Sequence, residues 1–290
     1  MKKHTNKVAN FFIWLIVLAL TASCLLPLVN MVAISFSDSA SAAANQVGLI
    51  PVHFNLSSYR MILEDHQFWL SFGISIERVV LGTLINLVLI VLMAYPLSKN
   101  KRDFHARNVY MNLIIFAMLF NGGMIPSFIV IKSLGLMDTI WALVLPGAVP
   151  IFNVILMMNF FKGLPNALEE AAIMDGASKM TVLLKIYLPL SLPGLATVSL
   201  FAIVGHWNDY FSGLLYMNRA ANYPLQTYIQ QLNIDITKVT DVSQLHALTS
   251  ISNKTLNAAK IVVSTVPLLL IYPFLQKYFV TGMTIGSVKE

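Results

Sequence analysis

Six apolar runs, each nearly free of charge, decide what this 290-residue chain can fold into. They are Phe11 to Ile34, Val79 to Leu97, Val109 to Ile131, Ile140 to Phe161, Leu192 to Met217 and Ile261 to Val280. A helix needs about 20 predominantly apolar residues to cross the hydrocarbon core of a bilayer, and each run fits that length. Backbone groups in lipid have no water to bond to, so a spanning segment satisfies them as a helix. The sequence therefore predicts an all-α membrane protein with six transmembrane helices. Composition agrees: 11% of the residues are charged, against about 25% in soluble domains. Several runs contain breakers: Asn121-Gly122-Gly123 and Pro126 in the third, Pro146 and Pro150 in the fourth, Pro267 and Pro273 in the sixth. Spans tolerate these because neighbouring helices satisfy the freed backbone groups.

Basic residues orient the spans. Lys2, Lys3, Lys7, the loop after the second run (Lys99, Lys101, Arg102, Arg107), the loop after the fourth (Lys162, Lys179, Lys185), Lys277 and Lys289 put twelve on one side. Arg60, Lys132, Arg219, Lys238, Lys254 and Lys260 put six on the other, with Arg78 at a span edge. The richer side is expected to be cytoplasmic, which places both termini and the loop between the fourth and fifth runs inside. The net charge of +6 is spread over short loops with no basic stripe, so it reads as an orientation signal and not as a nucleic-acid surface. The first run has the charged start and apolar centre of a signal peptide. It is read as an uncleaved span because it continues well past Cys24. That single cysteine excludes an internal disulfide and a Cys-based metal cluster. The chain has no Gly-x-x-x-x-Gly-Lys-Ser/Thr phosphate loop, no Gly-x-Ser-x-Gly elbow and no His-Glu-x-x-His helix. No catalytic residue, metal site or cofactor is therefore assigned to it.

Two polar stretches interrupt the apolar pattern. In the first, Glu170-Ala171-Ala172-Ile173-Met174-Asp175-Gly176 is rich in good helix formers, and Gly176 costs about 1 kcal/mol relative to Ala. A second helical run from Met180 to Tyr187 ends at Pro189, which cannot continue a regular helix without losing a hydrogen bond. The expectation is a helix, a glycine bend and a second helix returning to the membrane. The second stretch is His206-Trp207-Asn208-Asp209-Tyr210-Phe211 in the fifth run. Ionisable groups within spans usually face the protein interior or water, so it is expected to line a solute pathway. Amides and carboxylates suit sugar hydroxyls, and aromatic faces suit C–H patches. Core packing of Trp207, Tyr210 and Phe211 stays open beside direct contact. His206 and Asp209, three apart, are too few for a closed metal site; a structural or gating pair is the other reading. Adjacent helical positions point about 100° apart, so Asn208 with Phe211 or Trp207 is the preferred solute-facing set.

Glu170, Ala171, Ala172, Gly176, Ile186, Leu188 and Pro189, at this spacing, resemble the EAA loop of the membrane subunits of bacterial ABC importers. Trp207-Asn208-Asp209-Tyr210, Ala94-Tyr95-Pro96-Leu97-Ser98-Lys99 and the ending Gly282 to Val288 resemble stretches of the maltose-type carbohydrate permeases. The branch moving oligosaccharides or polysaccharide fragments is the nearest. The likeness runs from about Ser71 to the end. It implies the type I ABC-importer permease fold, with the first helix and an external loop in 1–70, a transmembrane core in 71–282 containing a coupling loop at 162–191, and a cytoplasmic tail at 283–290. It implies that Glu170 to Pro189, Asp175 included, docks onto an ATPase subunit. The implied partners are a second homologous permease in a heterodimer, two ATPase subunits that bind ATP and Mg, and an external solute-binding protein. The implied activity is import of a sugar across the bacterial cytoplasmic membrane by alternating access, with no bond broken. Two other readings stand beside it: a permease for amino acids, peptides or oxyanions, and an intramembrane enzyme built on His206 and Asp209.

Overall fold

The computed structural model describes residues 7–235 and 253–287; Lys2, Lys3, Lys238 and Lys289 of the orientation count, and Asp241, which that orientation places outside, lie beyond the described residues. Every regular element among the described residues is a helix. In chain order they are α1 (Lys7–Ser35), α2 (Ser39–Ala43), α3 (Ser57–Glu64), α4 (His66–Ser98), α5 (Arg107–Leu119), α6 (Met124–Ser133), α7 (Ile140–Val144) and α8 (Ile151–Lys162). They continue with α9 (Asn166–Met174), α10 (Lys179–Val182), α11 (Leu188–Leu190), α12 (Leu192–Asn208), α13 (Phe211–Tyr216), α14 (Leu225–Asp235) and α15 (Asn253–Ser287). Three of these are long and apolar enough to cross a bilayer unaided, over Asn10–Ser35, His66–Ser98 and Lys254–Pro273. Three bent pairs bring the number to six where each pair counts as one broken span: α5 with α6 at 112°, α7 with α8 at 50°, and the α10–α11 segment with α12 at 82°.

Each break sits where the backbone is weakest. Gly123 stands at φ +91° between α5 and α6, a left-handed conformation that glycine reaches without steric cost. Pro146 and Pro150 flank the step from α7 to α8, and each lacks the N–H that would carry the helix ladder through. The second span differs from its apolar run by starting at His66 instead of Val79. Ser71, Ser75 and Arg78, spaced along one helical face, are all buried, so their polarity is hidden inside and does not end the helix. The fifth span is also corrected. Leu192 to Met217 is not one helix: α12 stops at Asn208, Asp209 takes extended backbone, and α13 restarts at Phe211. The run before Pro189 is corrected as well, for the helix continues to Leu190 through a widened π-turn at Leu183–Tyr187. That widened turn accommodates the proline, and the break falls at Ser191 instead.

Contacts divide the chain into two compact units, one of Met1–Phe68 with Ile229–Val266 and one of Trp69–Tyr228 with Pro267–Glu290. In the first, the end of α1 packs on the α2 segment and α15 through Ala33, Ile34, Ala42, Val47 and Ala258, and Lys260 pairs with Asp65 at 2.7 Å. Most of α1 has no cover among the described residues: its best apolar window is 0% buried. In the second unit the main core joins α4, α5, α8, the α10–α11 segment and α12. Ile90, Met157, Phe161, Val182 and Val198 are its most buried members, and Ala172, Ala177, Ile186 and Leu188 pack on its edge. The core therefore lies directly against the polar loop between the fourth and fifth spans.

Candidate functional site

That loop has the expected helix–bend–helix form. α9 ends at Met174, Gly176 turns the chain at φ +83°, and Ser178 caps α10 by accepting from the Thr181 N–H at 3.2 Å. The two faces of α9 differ sharply. Glu170, Ala171, Asp175 and Gly176 are exposed, while Ala172 is half-buried against the core. The neighbouring Glu169, which the sequence reading passed over, is buried. Its carboxylate accepts from Lys99 Nζ at 2.5 Å, from Lys179 Nζ at 3.2 Å, from the Tyr187 hydroxyl at 2.8 Å and from the Tyr95 hydroxyl at 3.5 Å. Lys99 Nζ also lies 4.1 Å from the Tyr95 ring centre and 3.8 Å from that of Tyr187, both within cation–π range. Burial alone would raise the Glu169 pKa, but the bonds from Lys99 and Tyr187 outweigh it and hold the carboxyl below its ordinary value. Burial lowers the Lys99 pKa, and Glu169 partly offsets that. The cluster ties α9 to the end of α4 and to the widened turn. Its missed members had signals: Tyr95 and Lys99 belong to the Ala94–Lys99 stretch, and Tyr187 lies between Ile186 and Leu188. A polar cavity of about 450 Å³ opens beside it, bordered by Lys101, Arg107, Lys162 and Glu170 among others.

A second polar cluster lies among α4, the α7–α8 break and the end of α12. Arg78 is 2% exposed. It pairs with the Asp209 carboxylate and donates to the backbone carbonyls of Asp209 at 2.8 Å and Leu143 at 3.2 Å. Asp209 also accepts from the Ser212 hydroxyl at 2.6 Å and N–H at 3.1 Å, which caps α13. The Asn86 amide donates to the carbonyls of Gly147 at 2.9 Å and Ala148 at 2.8 Å and meets His206 Nε2 at 3.0 Å. Carbonyls exposed by broken helices are thus satisfied by side chains from α4, as lipid-embedded breaks require. Gly82 makes the arrangement possible, because a Cβ there would fall within 3 Å of the His206 ring.

This geometry changes the reading of the fifth-span stretch. His206 and Asp209 do not pair with one another: Asp209 has left the helix and meets Arg78, and His206 meets Asn86. Trp207 turns inward, 3% exposed, with its ring edge-on to Phe72 at 5.8 Å. Asn208, Tyr210 and Phe211 are exposed at the end of the helix. Arg78 was treated as a span-edge charge, although an arginine so close to an apolar run is itself a functional signal.

Residues 86–285 match the family described as the binding-protein-dependent transport system inner membrane component. The chain belongs to that family. It is accordingly a membrane protein, a permease subunit of an ABC importer that works with a solute-binding protein and an ATPase, and it is not an enzyme. The reading of His206 and Asp209 as an intramembrane active site falls with this. The chain is 41% identical to the polygalacturonan/rhamnogalacturonan transport system permease protein YtcP of Bacillus subtilis (strain 168), over 98% of its length and 99% of that relative. It is 45% identical to the Protein LplC of the same organism, over 92% of its length and 90% of that relative. Among solved structures, it superposes with TM-score 0.87 on a chain from the crystal structure of a bacterial ABC transporter involved in the import of the acidic polysaccharide alginate. The identity is 33%, covering 96% of this chain and 99% of that one. The permease therefore has the type I ABC-importer fold.

Proposed function

We propose that this permease is one half of the membrane pathway of an importer for oligosaccharides rich in acidic sugars, and that Glu170 to Pro189 receives the movement of the ATPase. The observation that carries the coupling role is the two-faced loop built on α9. Its inner side is held by Glu169, while its outer side presents Glu170, Met174, Asp175 and Gly176. Leu168, Ile173, Met174 and Met180 all stand exposed in it, Met174 at 87%, and several large apolar side chains open in one charged loop fit a docking surface. A second homologous permease, two ATPase subunits carrying ATP and Mg, and an external solute-binding protein complete the assembly. Residues 71–282 form its core, with both termini in the cytoplasm. Support for that orientation comes from the cavity beside Glu169: basic residues from the ends of the second, third and fourth spans border one space, as a shared positive-inside face requires.

The names of the pectic relative and the alginate transporter support the substrate class, since both solutes are acidic sugar polymers. We take Asp209, held by Arg78, and the exposed Asn208, Tyr210 and Phe211 as parts of the solute route, with Trp207 as their packing support. The test is uptake by the complete transporter in liposomes. Oligogalacturonates delivered by the binding protein are expected to drive ATP hydrolysis and to accumulate inside. Stimulation by amino acids, peptides or oxyanions with no response to oligosaccharides would overturn the reading.

A further inference from the structure

Resting on that oligosaccharide reading, we propose that the cavity beside the α7–α8 break is a subsite for the hydroxyl face of one sugar ring, with Asn153 as its hydrogen-bonding residue and Arg78 as part of its wall. The cavity measures about 240 Å³, below the range of pockets for drug-sized ligands and suited to a single ring. Asn153, on α8, lines it and is 5% exposed. Its amide has no hydrogen-bond partner among the described residues and is not sealed off from the cavity, which leaves it open to a ligand. Arg78 forms part of the same wall, held there by its bonds to Asp209 and Leu143. The wall therefore offers an amide that both donates and accepts, the combination a sugar hydroxyl satisfies.

The opposite wall suits the apolar side of a ring. Phe201 of α12 lines the cavity and is 43% exposed, and one turn later Gly205 leaves open space where a Cβ would stand. Aromatic faces cover sugar C–H patches, and the gap at Gly205 gives the ring room to approach. Charge narrows the class further. Asp209 already neutralises Arg78, so a ligand carboxylate would meet no net positive charge here. The subsite takes hydroxyls, and the acidic groups of the solute lie outside it.

The experiment uses the complete transporter with saturating loaded binding protein, comparing uptake of an oligosaccharide with an analogue lacking one ring hydroxyl. The native permease is expected to prefer the hydroxylated chain about five- to tenfold, the worth of one or two hydrogen bonds. Asn153→Ala is expected to remove most of that preference, and Asn153→Gln to keep more of it. A second measurement needs no change at Asn153. Gly205→Cys on a Cys24→Ser background is expected to react with a maleimide more slowly when sugar is present during turnover. An unchanged preference in Asn153→Ala, or labelling of Gly205→Cys indifferent to sugar, overturns the subsite. Failure of the native transporter to move any oligosaccharide would instead sink the substrate class on which the subsite rests.

Discussion

A carboxylate enclosed by two lysines and two tyrosines is costly to isolate, and Glu169 is such a group. Removing one member of a buried pair leaves the other desolvated and uncompensated, at about 3–5 kcal/mol. Glu169 and Lys99 keep some exposure, 11% each, so the lower end applies. Glu169→Gln is therefore expected to destabilise the purified complex by about 3 kcal/mol, read as a fall in Tm. Lys99→Met alone is expected to do similar harm, and the double variant to recover part of the loss, giving a coupling energy in a double-mutant cycle. The pH dependence has a definite sign. The folded pKa of Glu169 lies below its ordinary value, so its contribution is complete above the unfolded value of about 4.3. It is lost as pH falls through the folded value. Tm should drop on acidification below about pH 4, and Glu169→Gln should flatten that limb. Gly82→Ala forces a Cβ into the His206 ring, and overpacking of this kind costs about 1–3 kcal/mol; a normal Tm and uptake rate in that variant would show that α4 and α12 can part there freely. The sequence named Glu170 and not Glu169 because the loop pattern points to the exposed carboxylate. The buried one is distinguished by partners up to 74 residues away, which no local pattern carries.

At the scale of elements, the coupling role proposed for Glu170 to Pro189 rests on the bend of the loop. Gly176 stands at φ +83° with open space around it, so its constraint is conformational. A β-branched residue pays about 1–2 kcal/mol for left-handed backbone. Gly176→Val is expected to reduce ATP-driven uptake severalfold while the permease still assembles and accepts loaded binding protein. Transport at the native rate would show that the bend plays no part in coupling. The helix breaks were legible, since Asn121-Gly122-Gly123, Pro146 and Pro150 mark them directly. Three boundaries were not, and one of them, the passage of the helix through Pro189, rests on the widened turn before it. The early start of α4 is masked by Ser71, Ser75 and Arg78, whose polarity reads as a loop until the helix turns them inward. The end of α12 is masked because Tyr210 to Met217 stays apolar through the break, and Asp209 meets Arg78 at a separation of 131 residues.

At the scale of the whole molecule, α1 is an apolar helix with almost no cover among the described residues, a surface that lipid or a neighbouring subunit suits. Orientation is testable by single cysteines on a Cys24→Ser background. Positions 102 and 179 are expected to resist an impermeant maleimide in intact cells, and position 38 to react. Reaction at 179 from outside would invert the arrangement and separate the loop from any cytoplasmic ATPase. The spans followed from apolar length, because lipid punishes each error in that quantity, and the orientation expected from the lysine counts is what the cysteine labels decide. The polar clusters that hold the spans together did not, because they join distant helices.

The widened turn at Leu183–Tyr187 acts as a phase adjuster. A π-turn holds one residue more than the α-turn it replaces, and each residue rotates the helix by about 100°. The turn completes about the same revolution with a residue to spare, so deleting one residue from Leu183 to Lys185 would let it tighten to ordinary pitch while Tyr187 still faces Glu169 and Leu188 the core edge. The nine residues between Gly176 and Ile186 thus carry slack in one direction: a deletion within the widened turn is expected to leave uptake near native, whereas a residue added to it is expected to rotate Tyr187 and Leu188 by about 100° and disengage the loop from the fifth span.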